Sequence, residues 1–255
     1  MHSEIQTLLD LSKRTAGIAL DRLIELGKKD IKQYSFDVNI PRETKAIADT
    51  IIENIILDKL IPTGINILSE ETGLLVGNKG SSLRFIIDPI DGTVNFVRGI
   101  ADCSICIALF DGDKPIFGVI ATYPNGSIAW GGKGLGAFLD STRLQVSKIE
   151  DFKKSVLCTG FPSRFKFDEQ SFLLQTKLMS QFGKTRMLGA ASQSLLQVAK
   201  GSVECYSEQN IMLWDVAAGI SLVEGAGGRV EVTSVKPDYV LNITADNGYI
   251  KCLEV

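Results

Sequence analysis

Apolar residues recur at helical spacing through the first 26 positions: Ile5, Leu8, Leu9, Ala16, Ala19, Leu20 and Leu23, with Ser12 in the same stripe. The spacing predicts an amphipathic helix over residues 4–26, ended near Gly27. A second helix is predicted from about Glu43 to Leu60, with Ala46, Ile47, Ile51, Ile55 and Leu60 inward. The pattern then changes to short apolar runs broken by turn residues. Ile65–Leu68, Phe85–Ile87, Ser104–Phe110, Pro115–Thr122 and Gly126–Trp130 read as strands, and Asp111-Gly112-Asp113 and Pro124-Asn125-Gly126 read as hairpin turns. This meander predicts a largely antiparallel sheet.

After residue 148 the two periodicities alternate. Ser155–Thr159 reads as a strand, Gly160–Arg164 as a loop, Phe167–Phe182 as a helix and Arg186–Leu188 as a short strand. A helix from Gly189 to Lys200 is ended by Gly201; a strand over Val203–Ser207 is followed by a polar loop, a helix over Trp214–Ala226 and strands over 229–232 and 239–244. No repeat or low-complexity linker separates the halves. Residues 1–255 are therefore read as one domain, with an N-terminal half of about 1–148 and a C-terminal half of about 149–255.

The sharpest local signal is Ile86-Ile87-Asp88-Pro89-Ile90-Asp91-Gly92-Thr93. Pro89 keeps Asp88 out of the helical region, so the strand runs on through that carboxylate. Asp91-Gly92-Thr93 is a turn that can open a helix, with Gly92 allowing close backbone approach. Two carboxylates, the Ile90 carbonyl and helix-end amides then meet at one strand end. Such oxygens suit a hard cation, and such amides suit phosphate. Further acids follow apolar runs at Ser69-Glu70-Glu71 and at Leu213-Trp214-Asp215. The neutral alternatives are a solvated turn for Glu70 or Glu71 and a helix cap for Asp215.

Composition narrows the chemistry. The chain has 255 residues, 45% of them hydrophobic, and a net charge of −3, so it can hold a core without disulfides. The acidic balance and the lack of basic runs argue against direct nucleic-acid binding. The five cysteines are read as free thiols of a reducing compartment, with the cytoplasm as the expected location. Cys103 and Cys106, three apart on a strand, face opposite sides and cannot share a metal. No run is long enough to span a membrane and no leader pattern is visible. The one histidine is His2, so Ser-His-Asp, Cys-His and histidine-zinc chemistry lack their essential residue. Gly77–Leu83 and the Gly131–Gly136 run lack the spacing and context of nucleotide loops.

The three acidic strings, in this order, resemble the inositol monophosphatase family of Mg²⁺-dependent phosphatases, and the resemblance runs from the first helix to Glu224-Gly-Ala-Gly-Gly228. It implies an α/β (α+β) fold, a layered α-β-α-β-α sandwich of the inositol monophosphatase and fructose-1,6-bisphosphatase type. It implies that Glu70, Asp88 and Ile90 hold one Mg²⁺, that Asp88, Asp91 and Asp215 hold another, and that a third, weaker ion binds near Glu70. Glu70 and Thr93 would orient an attacking water, with Asp91 as a further catalytic carboxylate. Gly92 and Thr93 amides would bind phosphate, and Gly189, Ala190, Ala191, Glu208 and Asp215 would contact substrate. Glu208 also reads as a plain acid of the polar loop.

Where relatives carry Asp-x-Val-Thr-x-x-Asp, this chain has Asp37-Val-Asn-Ile-Pro-Arg-Glu43; Glu43 either supports Thr93 or is a first-turn helix acid. Lys32 is the nearest match to an upstream lysine. The implied substrate is a small phosphate monoester: inositol monophosphate or a similar polyol or sugar phosphate, or else fructose 1,6-bisphosphate or a 3′(2′),5′-bisphosphate nucleotide. The resemblance also implies lithium sensitivity and a homodimer, although no interface stripe is readable. A reading of another class is a regulatory protein with a secondary phosphatase site, since some relatives bind transcription or RNA machinery.

Overall fold

The structure is a computed structural model that describes residues 2–28, 34–36, 44–235 and 239–251. Its first half contains α1 (His2–Lys28), β1 (Tyr34–Phe36), β2 (Thr44–Ala46), α2 (Ile47–Leu60), β3 (Asn66–Ser69), β4 (Gly73–Leu75), β5 (Leu83–Asp91), α3 (Thr93–Arg98), β6 (Cys103–Asp111), β7 (Lys114–Tyr123), β8 (Ile128–Gly132), β9 (Gly136–Leu139) and β10 (Thr142–Arg143). The second half contains β11 (Val156–Cys158), α4 (Glu169–Gln181), β12 (Lys184–Arg186), α5 (Ala191–Ala199), β13 (Cys205–Met212), α6 (Leu213–Gly225), β14 (Arg229–Val235) and β15 (Val240–Asp246).

The first large sheet has eight strands in the order β10-β9-β8-β7-β6-β5-β3-β4. Its β3–β5 pair is parallel, and the remaining pairs are antiparallel, as the meander predicts. The second sheet has five strands in the order β12-β11-β13-β15-β14. Here β11 runs parallel to both neighbours, while β13, β15 and β14 are antiparallel.

Alternation along β5 and β6 sends successive side chains into two cores. Phe85, Ile87, Ile105 and Ile107 pack under α1 and α2, whereas Ile86, Cys106 and Ala108 pack against α5 and α6. Cys103 and Cys106 accordingly lie in different cores. The same α5–α6 layer meets Tyr206, Leu241, Ile243 and Ala245 of the second sheet. That sheet's far face, at Leu157 and Cys205, is covered by Leu178 of α4. The layers run α1/α2, first sheet, α5/α6, second sheet, α4: the expected α-β-α-β-α sandwich. The contact of α6 with the first sheet is close because Gly118 has no side chain; a Cβ there would stand 2.2 Å from the Ala218 carbonyl oxygen.

Two expectations that bear on the site need correction. First, α2 begins at Ile47, after β2, instead of near Glu43, and its buried face carries Ala48, Asp49, Ile52, Glu53, Ile56, Leu57 and Leu60. Ile47 is instead 49% exposed. The helix is apolar on more than one side, and the phase that buries two acids is stabilised because both are hydrogen-bonded. Second, residues 207–210 are not a loop. They belong to β13, which continues to Met212 across an irregularity between Glu208 and Ile211, with Asn210 at φ 59. A bulge interrupts the alternation that sequence periodicity relies on.

Candidate active site

At the end of β5 the chain does what its sequence dictates. Pro89 has no N–H to pair, and the register with β6 shifts between Asp88, opposite Cys106, and Asp91, opposite Ser104. Asp88 Oδ1 accepts a hydrogen bond from the Ile90 amide at 3.0 Å. Gly92 then takes φ 90 and ψ 39, and α3 starts at Thr93. Glycine is required there twice: the conformation is left-handed, and a Cβ would lie 3.1 Å from the Cβ atoms of both Ala190 and Cys103.

Asp91 is buried and is held by the start of α5. Its Oδ1 accepts from the Ala191 amide at 3.3 Å, and its Oδ2 accepts from the Ser192 amide at 2.7 Å and from the Ser192 hydroxyl. Burial pushes its pKa up to about 6, against the pull of the donors from Ser192 and Ala191. Asp88 is also raised well above the ordinary carboxylate range, by burial first and then by Glu70, Asp91 and Asp215. Asp215 is raised by burial and by Glu70, Asp91 and Glu208, and its Oδ2 accepts from the Met212 amide at 3.3 Å, a capping contact at the start of α6. Mutual repulsion of this kind reflects acids lying close to one another.

Thr93 is supported by a residue that sequence reasoning missed. Its hydroxyl lies 3.1 Å from Asp49 Oδ1 and 3.0 Å from the Ile90 carbonyl oxygen. Asp49 sits in the first turn of α2, where its Oδ2 accepts from the Ala46 amide at 2.8 Å, and burial raises its pKa to about 7. Glu43, the expected partner of Thr93, lies outside the described residues, as do Asp37 and Lys32. One turn after Asp49, Glu53 accepts from the Ser69 hydroxyl and from the Thr72 amide and hydroxyl, at 3.0 and 2.8 Å for Thr72. It thereby pins the turn that carries Glu70. The available signal was Asp49 and Glu53, two acids four apart and so on one face of a helix rich in isoleucine.

A cavity of about 340 Å³ opens above these groups, lined by Glu70, Asp91, Asp215, Glu208 and the segment Gly189–Ala191. Asp88 and Ile90 are buried at 1% exposure and are absent from the lining, as are Gly92 and Thr93. Glu208 is placed by β13, accepts from the Tyr206 hydroxyl at 2.7 Å, and is raised to about 7 by burial. The Ala191 amide is taken up by Asp91. The loop Gly160–Arg164 and Trp214 also line the cavity, and sequence reasoning did not assign them to the site.

Among the described residues, no three acidic side chains already stand as a coordination set. Their oxygens instead accept from the amides of Ile90, Ala191, Ser192 and Met212, as un-neutralised carboxylates that repel one another must. The donor set nevertheless fits a hard divalent cation: carboxylate oxygens around a cavity, with raised proton affinities that a cation would relieve.

Comparison with known proteins places the fold and the sequence in one family. The sequence model of the inositol monophosphatase family matches residues 4–248. The chain is 30% identical to a fructose-1,6-bisphosphatase/inositol-1-monophosphatase of Aquifex aeolicus, over 93% of this chain and 85% of that one. It is 35% identical to the Nus factor SuhB of Pasteurella multocida, over 73% and 68% of the two chains. Among solved structures, the extragenic suppressor protein SuhB of Bartonella henselae superposes with a TM-score of 0.84 at 28% identity, covering 95% of each chain. With its layered fold, its clustered acids and a family match over nearly its whole length, the chain belongs to the inositol monophosphatase family.

Proposed function

We propose that the chain is a Mg²⁺-dependent phosphomonoesterase that hydrolyses inositol monophosphate or a similar polyol or sugar phosphate. The observation that carries this reading is that Glu70, Asp91 and Asp215, from three separate segments, line one cavity, with Asp88 buried within electrostatic reach of all three. Glu70, Asp88 and the Ile90 carbonyl would hold one ion, Asp88, Asp91 and Asp215 a second, and a third, weaker ion would bind near Glu70. When bound, such ions supply Lewis-acid polarisation of the phosphate and acidify an attacking water. Glu70 and Thr93 orient that water, and Asp49 fixes the Thr93 hydroxyl, so no histidine base is needed. The amides of Gly92 and Thr93 receive phosphate oxygens. Glu208 and the Gly189–Ala191 backbone face the alcohol part of the substrate.

The double name of the Aquifex aeolicus relative supports fructose 1,6-bisphosphate as a further substrate, with a 3′(2′),5′-bisphosphate nucleotide as the third candidate for the same site. Similarity to proteins called Nus factor SuhB supports a second reading, a regulatory protein whose phosphatase site is secondary. Lithium inhibition and a homodimer belong to the primary reading. The exposed side chains of Phe167, Phe172 and Leu173 offer such a dimer an apolar face.

Phosphate release measured across inositol phosphates, fructose bisphosphate and nucleotide bisphosphates, with Mg²⁺ and with chelator, tests the reading. Turnover that needs Mg²⁺ and falls at least about 100-fold in Asp91→Asn is expected. Turnover indifferent to chelator or to that substitution refutes it, and rates unchanged in millimolar lithium count against the lithium expectation.

A further inference from the structure

We infer that Ser192, backed by Ser104, is a positioning residue that fixes which oxygen Asp91 offers to a bound cation; the inference rests on the metal-dependent reading above. Ser192 and Ser104 are both at 0% exposure, on α5 and β6, and Ser104 stands opposite Asp91 in the β5–β6 register. Their hydroxyl oxygens are 2.5 Å apart, and Cys106 Sγ lies 3.9 Å beyond Ser104.

Counting protons sets the direction of this chain. An ionised carboxylate only accepts, and a serine has one hydroxyl proton. Ser192 gives that proton to Asp91 Oδ2, so the contact between the two serines requires Ser104 to donate to Ser192. Ser104 can then only accept from Cys106, whose buried thiol keeps its proton. The order runs Cys106 to Ser104 to Ser192 to Asp91, tying β6, α5 and β5 together in one sense.

The consequence falls on Asp91. Its Oδ2 already accepts two hydrogen bonds, from the amide and the hydroxyl of Ser192. Its Oδ1 has a single long contact, 3.3 Å from the Ala191 amide. Acceptor capacity therefore remains on Oδ1, and Asp91 serves as a one-oxygen ligand whose carboxylate plane cannot turn.

The test is calorimetric titration of Mg²⁺ alone into the full chain, without substrate, alongside phosphate-release kinetics. Ser192→Ala is expected to raise the Mg²⁺ Kd about 10–100-fold, and Ser104→Ala a few-fold in the same direction, while Ser192→Thr, which keeps the hydroxyl, stays near wild type. A folded Ser192→Ala with wild-type Kd, or a folded Ser192→Thr no better than Ser192→Ala, overturns the inference. Should Ser192→Ala fail to fold, Ser104→Ala decides, and an unchanged Kd there has the same force. Wild-type protein that binds no Mg²⁺ overturns the metal-dependent reading and this inference with it; normal wild-type binding with unaffected serine variants overturns this inference alone.

Discussion

Thr93 has one hydroxyl proton and two acceptors, Asp49 Oδ1 and the Ile90 carbonyl, at nearly equal distances. The proton must point away from any attacking water, leaving a Thr93 lone pair turned toward it. Asp49→Asn is expected to lower kcat by about 10–100-fold with little change in KM, the scale seen when partners that orient a metal site are removed; steady-state kinetics showing unchanged kcat contradict the role. The raised acids give a second expectation. In the metal-free protein Asp49 and Glu208 are pushed to about 7 and Asp91 to about 6, from ordinary values of 3.8 and 4.5. Between about pH 4 and 7 the folded chain therefore binds more protons than the unfolded one, and stability falls as pH rises through that window. Thermal unfolding in chelator should give a lower Tm at pH 8 than at pH 5.5, and a Tm rising with pH contradicts this. Added Mg²⁺ should reverse the trend.

The starts of α2, α3, α5 and α6 all lie at the site, contributing Asp49, Thr93, the Ala191 and Ser192 amides, and Asp215. Their positive dipole ends favour ionised carboxylates where burial opposes them. Helix placement therefore governs the site. Gly118→Ala, which would drive a methyl group into the Ala218 carbonyl, is expected to cost about 1–3 kcal/mol in denaturant unfolding and to weaken Mg²⁺ binding by displacing Asp215. A variant of wild-type stability contradicts that close contact. At this scale the sequence was uneven to read. The Asp88–Thr93 turn was legible because Pro89 and Gly92 act locally, through a missing N–H and a left-handed φ. Asp49 was not, because its burial depends on the rotational phase of a helix apolar on several sides. Its partner Thr93 lies 44 residues away. Residue spacing alone left Glu208 open between a substrate contact and a loop acid, because a bulge breaks the alternation beside it.

Across the whole molecule, the individual elements followed from strings of periodic residues and their layered order from the family resemblance, and both sheets deliver acids or pocket walls to one cavity. The Gly160–Arg164 wall was not legible, since only the tertiary packing of the second sheet brings that loop to the cavity. Among the described residues, no helix is long and apolar enough to cross a membrane. Because the acids repel one another without ions, cation binding should stabilise the entire fold: at a Mg²⁺ concentration 100 times its Kd the gain is about 2.7 kcal/mol, a rise in Tm of roughly 5–10 °C for a chain of this size. An unchanged Tm contradicts that coupling. The most direct test is anomalous diffraction from a crystal soaked with phosphate and Mn²⁺ in place of Mg²⁺. Peaks enclosed by Glu70, Asp88, Asp91 and Asp215, with phosphate at the amides of Gly92 and Thr93, are the predicted result. A crystal whose only peaks lie away from those carboxylates, or which shows none, contradicts the account.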